Sequence, residues 1–279
     1  MTRKTSPAYR ASKEETIPIN KLHPFSNHPF HIRHDLEFSE LVDSISESGI
    51  ITPIIVRPKI GVGYEVISGH RRWEACKELG IESIPARVEY IDDDEATILM
   101  VNSNIQREHV LPSEKAFAYK MRMEAMKHQG KATSSQLGTK LRTLDAMGKE
   151  VDESRNQIHR YIRLTYLIPS ILQMVDDGRI AFNPAVEISY MTGEHQTWLK
   201  EEMEMCDATP SLVQSRTLKD MSRNGTLTEN YLHTLNVLAQ EMGHRMDELV
   251  EQLRDVNLQE QKVRQERKTL AEIRSDLVE

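Results

Sequence analysis

Cysteine is nearly missing: Cys76 and Cys206 are the two in 279 residues, and they lie far apart. That excludes a disulfide framework, and their isolation excludes a zinc ribbon built on paired Cys-x-x-Cys spacing. Aromatic residues make up 5% of the chain, so its cores must be filled by aliphatics and by its 13 methionines, which suit helix-rich packing. Long apolar runs are absent too. No stretch approaches the ~18 residues that a membrane-spanning helix needs. The opening residues, MTRKTSPAYRASKEE, have no apolar signal core. These absences point to a soluble protein of a reducing cytoplasm with no membrane partner. The net charge of -7 argues weakly against a nucleic-acid partner, but that figure averages over unlike segments.

Charge is distributed unevenly. From Phe117 to Leu167 ten Lys and Arg face five Asp and Glu, a local net of +5. From Thr228 to Glu279 seven basic residues face eleven acidic ones, a local net of -4. A basic middle followed by an acidic end is the footprint to look for in a DNA-binding module.

Hydrophobic periodicity divides the chain in the same way. Thr16 to Leu22 reads as a strand, and Leu36, Leu41, Val42 and Ile45 fall at helical spacing before Gly49. Ile50 to Arg57 is β-branched and apolar, Gly61-Val62-Gly63 is a turn, and Tyr64 to Ile67 returns as the partner strand. A helix over 71–79, a strand over Ile84 to Tyr90 and a helix led by Asp92, Asp93 and Asp94 complete an α/β alternation. After Pro112 the strand patterns stop. Helices are predicted over 113–128, 134–141, 153–168, 171–177, 184–191 and 194–205. From Leu235 to Leu277 an apolar residue recurs every seven, while the companion seam holds Arg245, Gln252, Gln259 and Glu266. Half a seam leaves two readings open, a weak coiled coil or a lone solvated helix.

Three stretches carry chemistry. The first is Ser68-Gly69-His70-Arg71-Arg72, at a strand-to-helix turn. Glycine there lets the backbone come close to a ligand. The free N–H groups of the new helix favour an anion, and arginines supply forked donors for phosphate. The plainer alternative is a surface turn with solvated arginines. The second is Ser103-Asn104-Ile105-Gln106-Arg107, a polar cluster at a helix end that could equally be a connecting loop. The third is Ser154-Arg155-Asn156-Gln157, continued by His159, Arg160 and Arg163. Arg reads guanine edges, and Asn or Gln reads adenine, when such a helix enters the major groove. The plainer alternative is the charged face of a bundle helix. The connector 142–152 is also longer than a usual helix-turn-helix turn.

The order of IITPIIVR, YEVISGHRRWEACKELGI, SNIQREHVLPSEKAFAY and a helix-turn-helix resembles the ParB family of chromosome and plasmid partition proteins, over roughly residues 16 to 190. The resemblance implies an α+β multidomain fold. It implies a disordered tail over 1–15, a ParB/sulfiredoxin-like α/β nucleotide-binding domain over 16–109, and an all-α helix-turn-helix DNA-binding domain over 110–226. A long helix over 227–279 would serve dimerisation. It further implies a clamp that loads on a palindromic DNA site, closes on binding CTP, and works with a ParA-type ATPase as a cytoplasmic, nucleoid- or plasmid-associated homodimer. Thr52, Ser68, Gly69, His70, Arg71, Arg72, Asn104 and Arg107 are the implied nucleotide residues, and Asn104 the implied Mg²⁺ ligand. Ser154, Arg155, Asn156, Gln157, His159, Arg160 and Arg163 are the implied DNA residues.

The sequence departs from the family boxes at four positions, the first being Thr52, which stands before Pro53 where the family has a glutamine. His70 stands for a glutamate, Glu74 for an arginine, and Ser103 for the glutamate that the family associates with Mg²⁺ and slow CTP hydrolysis. Losing that carboxylate removes a hard oxygen ligand, so whether the chain is a CTPase stays open. Two other classes compete: a transcriptional or nucleoid-associated regulator of the same fold, and a nuclease or phosphotransferase on a ParB-like domain. Sulfiredoxin-type redox chemistry needs a cysteine in the glycine loop, where Ser68 stands instead.

Overall fold

The computed structural model describes residues 12–59, 61, 63–107, 109–129, 147, 153–233, 259 and 263. Two compact units divide the chain, Met1–Tyr190 and Met191–Glu279. The first opens with strand β1 (Lys13–Pro18), a 3-10 turn and the short β2 (Leu22–His23). Helix α1 (Leu36–Ser48), β3 (Ile54–Lys59), β4 (Gly63–Ser68), α2 (His70–Glu78), β5 (Ser83–Val88) and α3 (Asp93–Asn104) follow. Then come α4 (Pro112–Gln129), α5 (Arg155–Leu164), α6 (Pro169–Asp176) and α7 (Phe182–Ile188). The second unit holds α8 (Gly193–Cys206) and α9 (Leu212–Asn224).

The five strands form one mixed sheet in the order β1-β5-β3-β4-β2. β1 and β5 pair antiparallel, as do β3 and β4; β3 with β5 and β2 with β4 are parallel. Strand periodicity sends alternate residues to opposite faces. Ile54, Val56 and Val66 join a core with Phe38, Ile45, Trp73 and Cys76 from α1 and α2. Ile67, with Ile55 packed nearby, joins the other core, which holds Ala96, Met100 and Val101 of α3. That second core continues through Ala118, Tyr119 and Met123 of α4 to Ile158 and Ile162 of α5. The sheet is thus covered on both faces, and α3, α4 and α5 share one apolar interior.

Local signals explain most boundaries. Asp35 caps α1, its Oδ1 accepting from the Phe38 N–H at 2.9 Å. The three aspartates expected at a helix start do that work: Asp92 and Glu95 close a capping box on α3. Pro169 occupies the first turn of α6.

Two expectations are corrected. The tail was expected to run to residue 15, but Lys13, Glu14 and Glu15 already pair with Val88, Arg87 and Ala86. The charged alternation there hid a strand whose apolar partner is β5. The helix α9 was not expected at all, although Ser211 and Gln214 form a capping box that the sequence carries as Ser-x-x-Gln. The expected helix 134–141 lies outside the described residues, as do its connector apart from Met147, which is helical and buried, and the heptad tail apart from Gln259 and Val263.

Candidate anion cleft and helical face

β4 delivers the chain to Gly69, which caps α2 in the left-handed region with φ +97°. A Cβ there would stand 2.7 Å from Ile54 Cγ2. Only glycine lets the turn sit this close to β3. The three residues after it then diverge. His70 turns inward and is 4% exposed. Its ring lies 4.0 Å from that of His28, and among the described residues neither of its nitrogens has a hydrogen-bond partner. Burial, reinforced by His28, lowers its pKa to about 3, so it is neutral. Arg72 turns back to donate to the carbonyls of Thr52 and Pro53, the latter at 3.0 Å, and burial lowers its pKa. Arg71 alone of the three reaches a cleft.

The cleft has a volume of about 310 Å³ and is lined by Phe30, His31, Arg33, Asp35, Glu37, Arg71, Arg107, His109, Val110 and Glu114. It brings together two of the expected nucleotide residues, Arg71 and Arg107. Arg107 lies over the Phe30 ring at 6.0 Å, and its pKa is lowered by burial and then by Arg71. Thr52, Ser68, Gly69, His70, Arg72 and Asn104 do not line it, although Gly69 and Arg72 fix the turn that presents Arg71. Sequence reasoning missed Arg33, His31, His109 and Glu114. The loops that carry Arg33, His31 and His109 have no periodicity to place them. Glu114, at the start of α4, is almost wholly buried. It accepts from the backbone of His31 at 2.8 Å and of Leu111 at 3.0 Å, tying α4 to the cleft wall.

The cleft suits a phosphate-bearing ligand, because three guanidiniums converge on it. The implied Mg²⁺ site does not fit. Asn104 is 1% exposed, and its amide nitrogen donates to Met100 O at 2.7 Å and to Ser103 Oγ at 3.1 Å. Ser103 Oγ itself donates to Met100 O at 2.9 Å. Neither residue lines the cleft.

A second unexpected feature lies on the face of the sheet that carries Ile67. The β3–β4 register sets Arg57 opposite Glu65. Glu65, 1% exposed, accepts from Arg57 Nε at 2.7 Å and from Lys59 Nζ at 2.6 Å. Arg57 Nη2 also meets Asp93 at 2.7 Å. Burial pushes the Glu65 carboxyl up, but the hydrogen bonds from Lys59 and Arg57 prevail and hold it below its ordinary value. The hairpin register, symmetric about Gly61, was the signal that could have found this pair.

The helical face is α5. Ser154 caps it, accepting from the Gln157 N–H at 3.1 Å, and Ile158, Ile162 and Leu164 are buried. Arg155 and Asn156 are exposed; Gln157 and His159 are half-buried. Arg160 and Arg163 instead lie against α7. Arg160 donates to Asn183 Oδ1 and stacks over Phe182 at 5.1 Å. Arg163 donates to Ser189 Oγ at 3.2 Å and to its carbonyl, between the Tyr166 and Tyr190 rings at 4.3 and 3.9 Å.

A mixed sheet, a glycine turn at the start of α2 and a cleft lined by three arginines define an α/β domain with helices built onto it. Residues 4–105 match the family model of the ParB N-terminal domain. It is similar to the chromosome-partitioning protein Spo0J of Thermus thermophilus, 30% identical over 189 residues, covering 67% of this chain and 64% of that protein. It is similar to a probable ParB of Deinococcus radiodurans, 25% identical, covering 73% and 66%. It is also similar to the nucleoid occlusion protein of Geobacillus, 35% identical, covering 55% and 57%. The chain thus spans just under two thirds of the first two relatives. Among solved structures, Caulobacter crescentus ParB complexed to parS is 20% identical with a TM-score of 0.44, covering 75% of this chain and 99% of that one. Its complex with CTP-gamma-S is 23% identical with a TM-score of 0.32, covering 69% and 99%. Among the described residues no helix is long and apolar enough to cross a membrane.

Proposed function

We propose that the chain is a DNA-binding partition protein that loads on a palindromic site through a helix-turn-helix, with α5 as its recognition helix, and uses CTP as the ligand that closes a homodimeric clamp. The observation that carries this reading is the convergence of Arg71 and Arg107 on one cleft beside the start of α4. Relatives named for chromosome partitioning support it. CTP, when bound, supplies polyphosphate charge for the guanidiniums of Arg71, Arg107 and Arg33. Glu114 ties the same cleft wall to α4, and the core of α4 runs on to α5, so the site that holds the nucleotide and the helix that meets DNA share one packed interior. A ParA-type ATPase is the partner this role calls for, and the nucleoid or a plasmid is its place of work. Because the Ser103–Asn104 corner does not suit Mg²⁺, the reading is of nucleotide binding rather than turnover.

The test is binding of radiolabelled CTP, against ATP, GTP and UTP, with and without palindromic DNA, alongside cross-linking of the N-terminal domains. CTP-selective binding and DNA-dependent cross-linking are expected. Cross-linking that ignores both CTP and DNA sinks the clamp. A second reading, a nucleoid-occlusion regulator with the same DNA binding, is favoured by the 35% identity to such a protein. Binding sites scattered along a chromosome, rather than clustered at one locus, would select it.

A further inference from the structure

Arg71 already has partners in the cleft. Its Nη2 donates to Asp35 Oδ1 at 3.1 Å, and its Nη1 to Glu37 Oε2 at 3.3 Å. Both carboxylates come from the start of α1, and all three side chains line the cleft. A guanidinium whose two terminal nitrogens already donate to carboxylates offers an incoming phosphate fewer free N–H donors and a partly neutralised charge, and paired donation from those nitrogens is what grips an oxyanion. Arg107 opens onto the same cleft, and the two guanidiniums repel one another. The acids therefore also quiet that repulsion when no ligand is present. With Arg33 and Glu114, the lining holds three arginines and three carboxylates. A site built only to attract phosphate would not carry that balance.

We propose that Asp35 and Glu37 are resident counter-ions of Arg71, and that they set the affinity of the cleft by competing with its anionic ligand for the guanidinium. They are positioning residues, acting through Arg71. The proposal rests on the nucleotide reading only for the identity of the anion. Asp35 has a second duty, since the same Oδ1 caps α1. Asparagine caps about as well as aspartate, so Asp35→Asn separates the two duties. Glu37 is exposed and has no cap to lose.

The experiment titrates the full chain with inorganic tripolyphosphate and, separately, with CTP, by calorimetry at fixed ionic strength. Glu37→Gln and Asp35→Asn should each bind tripolyphosphate about two- to fivefold tighter than the native chain, the range that an exposed ion pair is worth. Their melting temperatures without ligand should stay equal or fall slightly. A merely structural role would move affinity and stability down together. Glu40→Gln removes a charge from the exposed face of the same helix and measures the general field effect. A gain in Glu37→Gln no larger than in Glu40→Gln, or any loss, overturns the proposal. Tighter tripolyphosphate binding in a chain that takes no CTP in any form keeps the proposal and removes the nucleotide reading.

Discussion

Gly69 and His70 show how much a single position can decide. At Gly69 the left-handed φ of +97° and the 2.7 Å approach of a Cβ to Ile54 Cγ2 act together. Gly69→Ala should cost about 1–3 kcal/mol, read from the urea midpoint. An unchanged midpoint would mean that the turn is not held as described. His70 sets a pH dependence whose sign follows from burial. Its pKa is about 3 when folded, against an ordinary 6.5. Between those values the unfolded chain binds the extra proton, so stability falls as pH drops below about 6.5. His28 titrates low for the same reason and faces His70, while Arg107 and Lys77 add to the effect and Glu65 opposes it. His70→Gln should flatten the stability profile between about pH 6 and 3, where one such group alone gives a slope of up to ~1.4 kcal/mol per pH unit. A profile as steep as the native one would assign the acid sensitivity elsewhere.

Helices and strands were the level at which the sequence was most legible. Period-2 and period-3.6 patterns placed β3, β4, α2, α4 and α5 within a few residues, because each buries one face and the apolar spacing records that face. Side-chain direction on the polar faces was not legible. Arg155 and Arg163 look alike in a string of basic residues. Yet Arg163 is partly buried against Ser189, Tyr166 and Tyr190, while Arg155 is exposed in the first turn of α5. That difference depends on where α7 packs, which no local pattern encodes. It yields a prediction at the scale of α5. Arg163→Ala should lower the unfolding midpoint by an amount worth about 1.5–3 kcal/mol, for loss of hydrogen bonds to a charged group. It should leave the salt dependence of DNA binding as it was. Arg155→Ala should reduce the slope of log K against log salt by about 1, as expected when one phosphate contact is lost. Equal slope changes in the two variants would put Arg163 on the DNA.

Across the whole first unit, two features join segments that sequence patterns treat as separate. The buried Arg57–Glu65 pair links β3 to β4 and, through Asp93, to α3. Removing Glu65 alone leaves the buried Arg57 guanidinium with only the exposed Asp93 carboxylate to balance it, so Glu65→Gln should cost about 3 kcal/mol in urea unfolding, the lower end for a broken buried pair. The second feature is the core shared by α3, α4 and α5. Charge and composition suggest a break near residue 109, where strands give way to basic helices. The packing has none there. Met100, Val101 and Ile105 meet Ala118, Tyr119 and Met123, and that layer runs on to Ile158. Composition reports what a segment is made of, whereas a core is defined by what two segments exclude together. A fragment ending at residue 109 would therefore expose the outer face of α3, an apolar surface that water penalises by roughly 25 cal/mol per Å². It should bind a hydrophobic dye and unfold without a sharp transition. A fragment ending at residue 190 keeps the layer closed and should melt cooperatively. If the shorter fragment melts as sharply as the longer one, the ligand cleft and the helical face belong to independent bodies, and coupling between them would have to run through something other than this core.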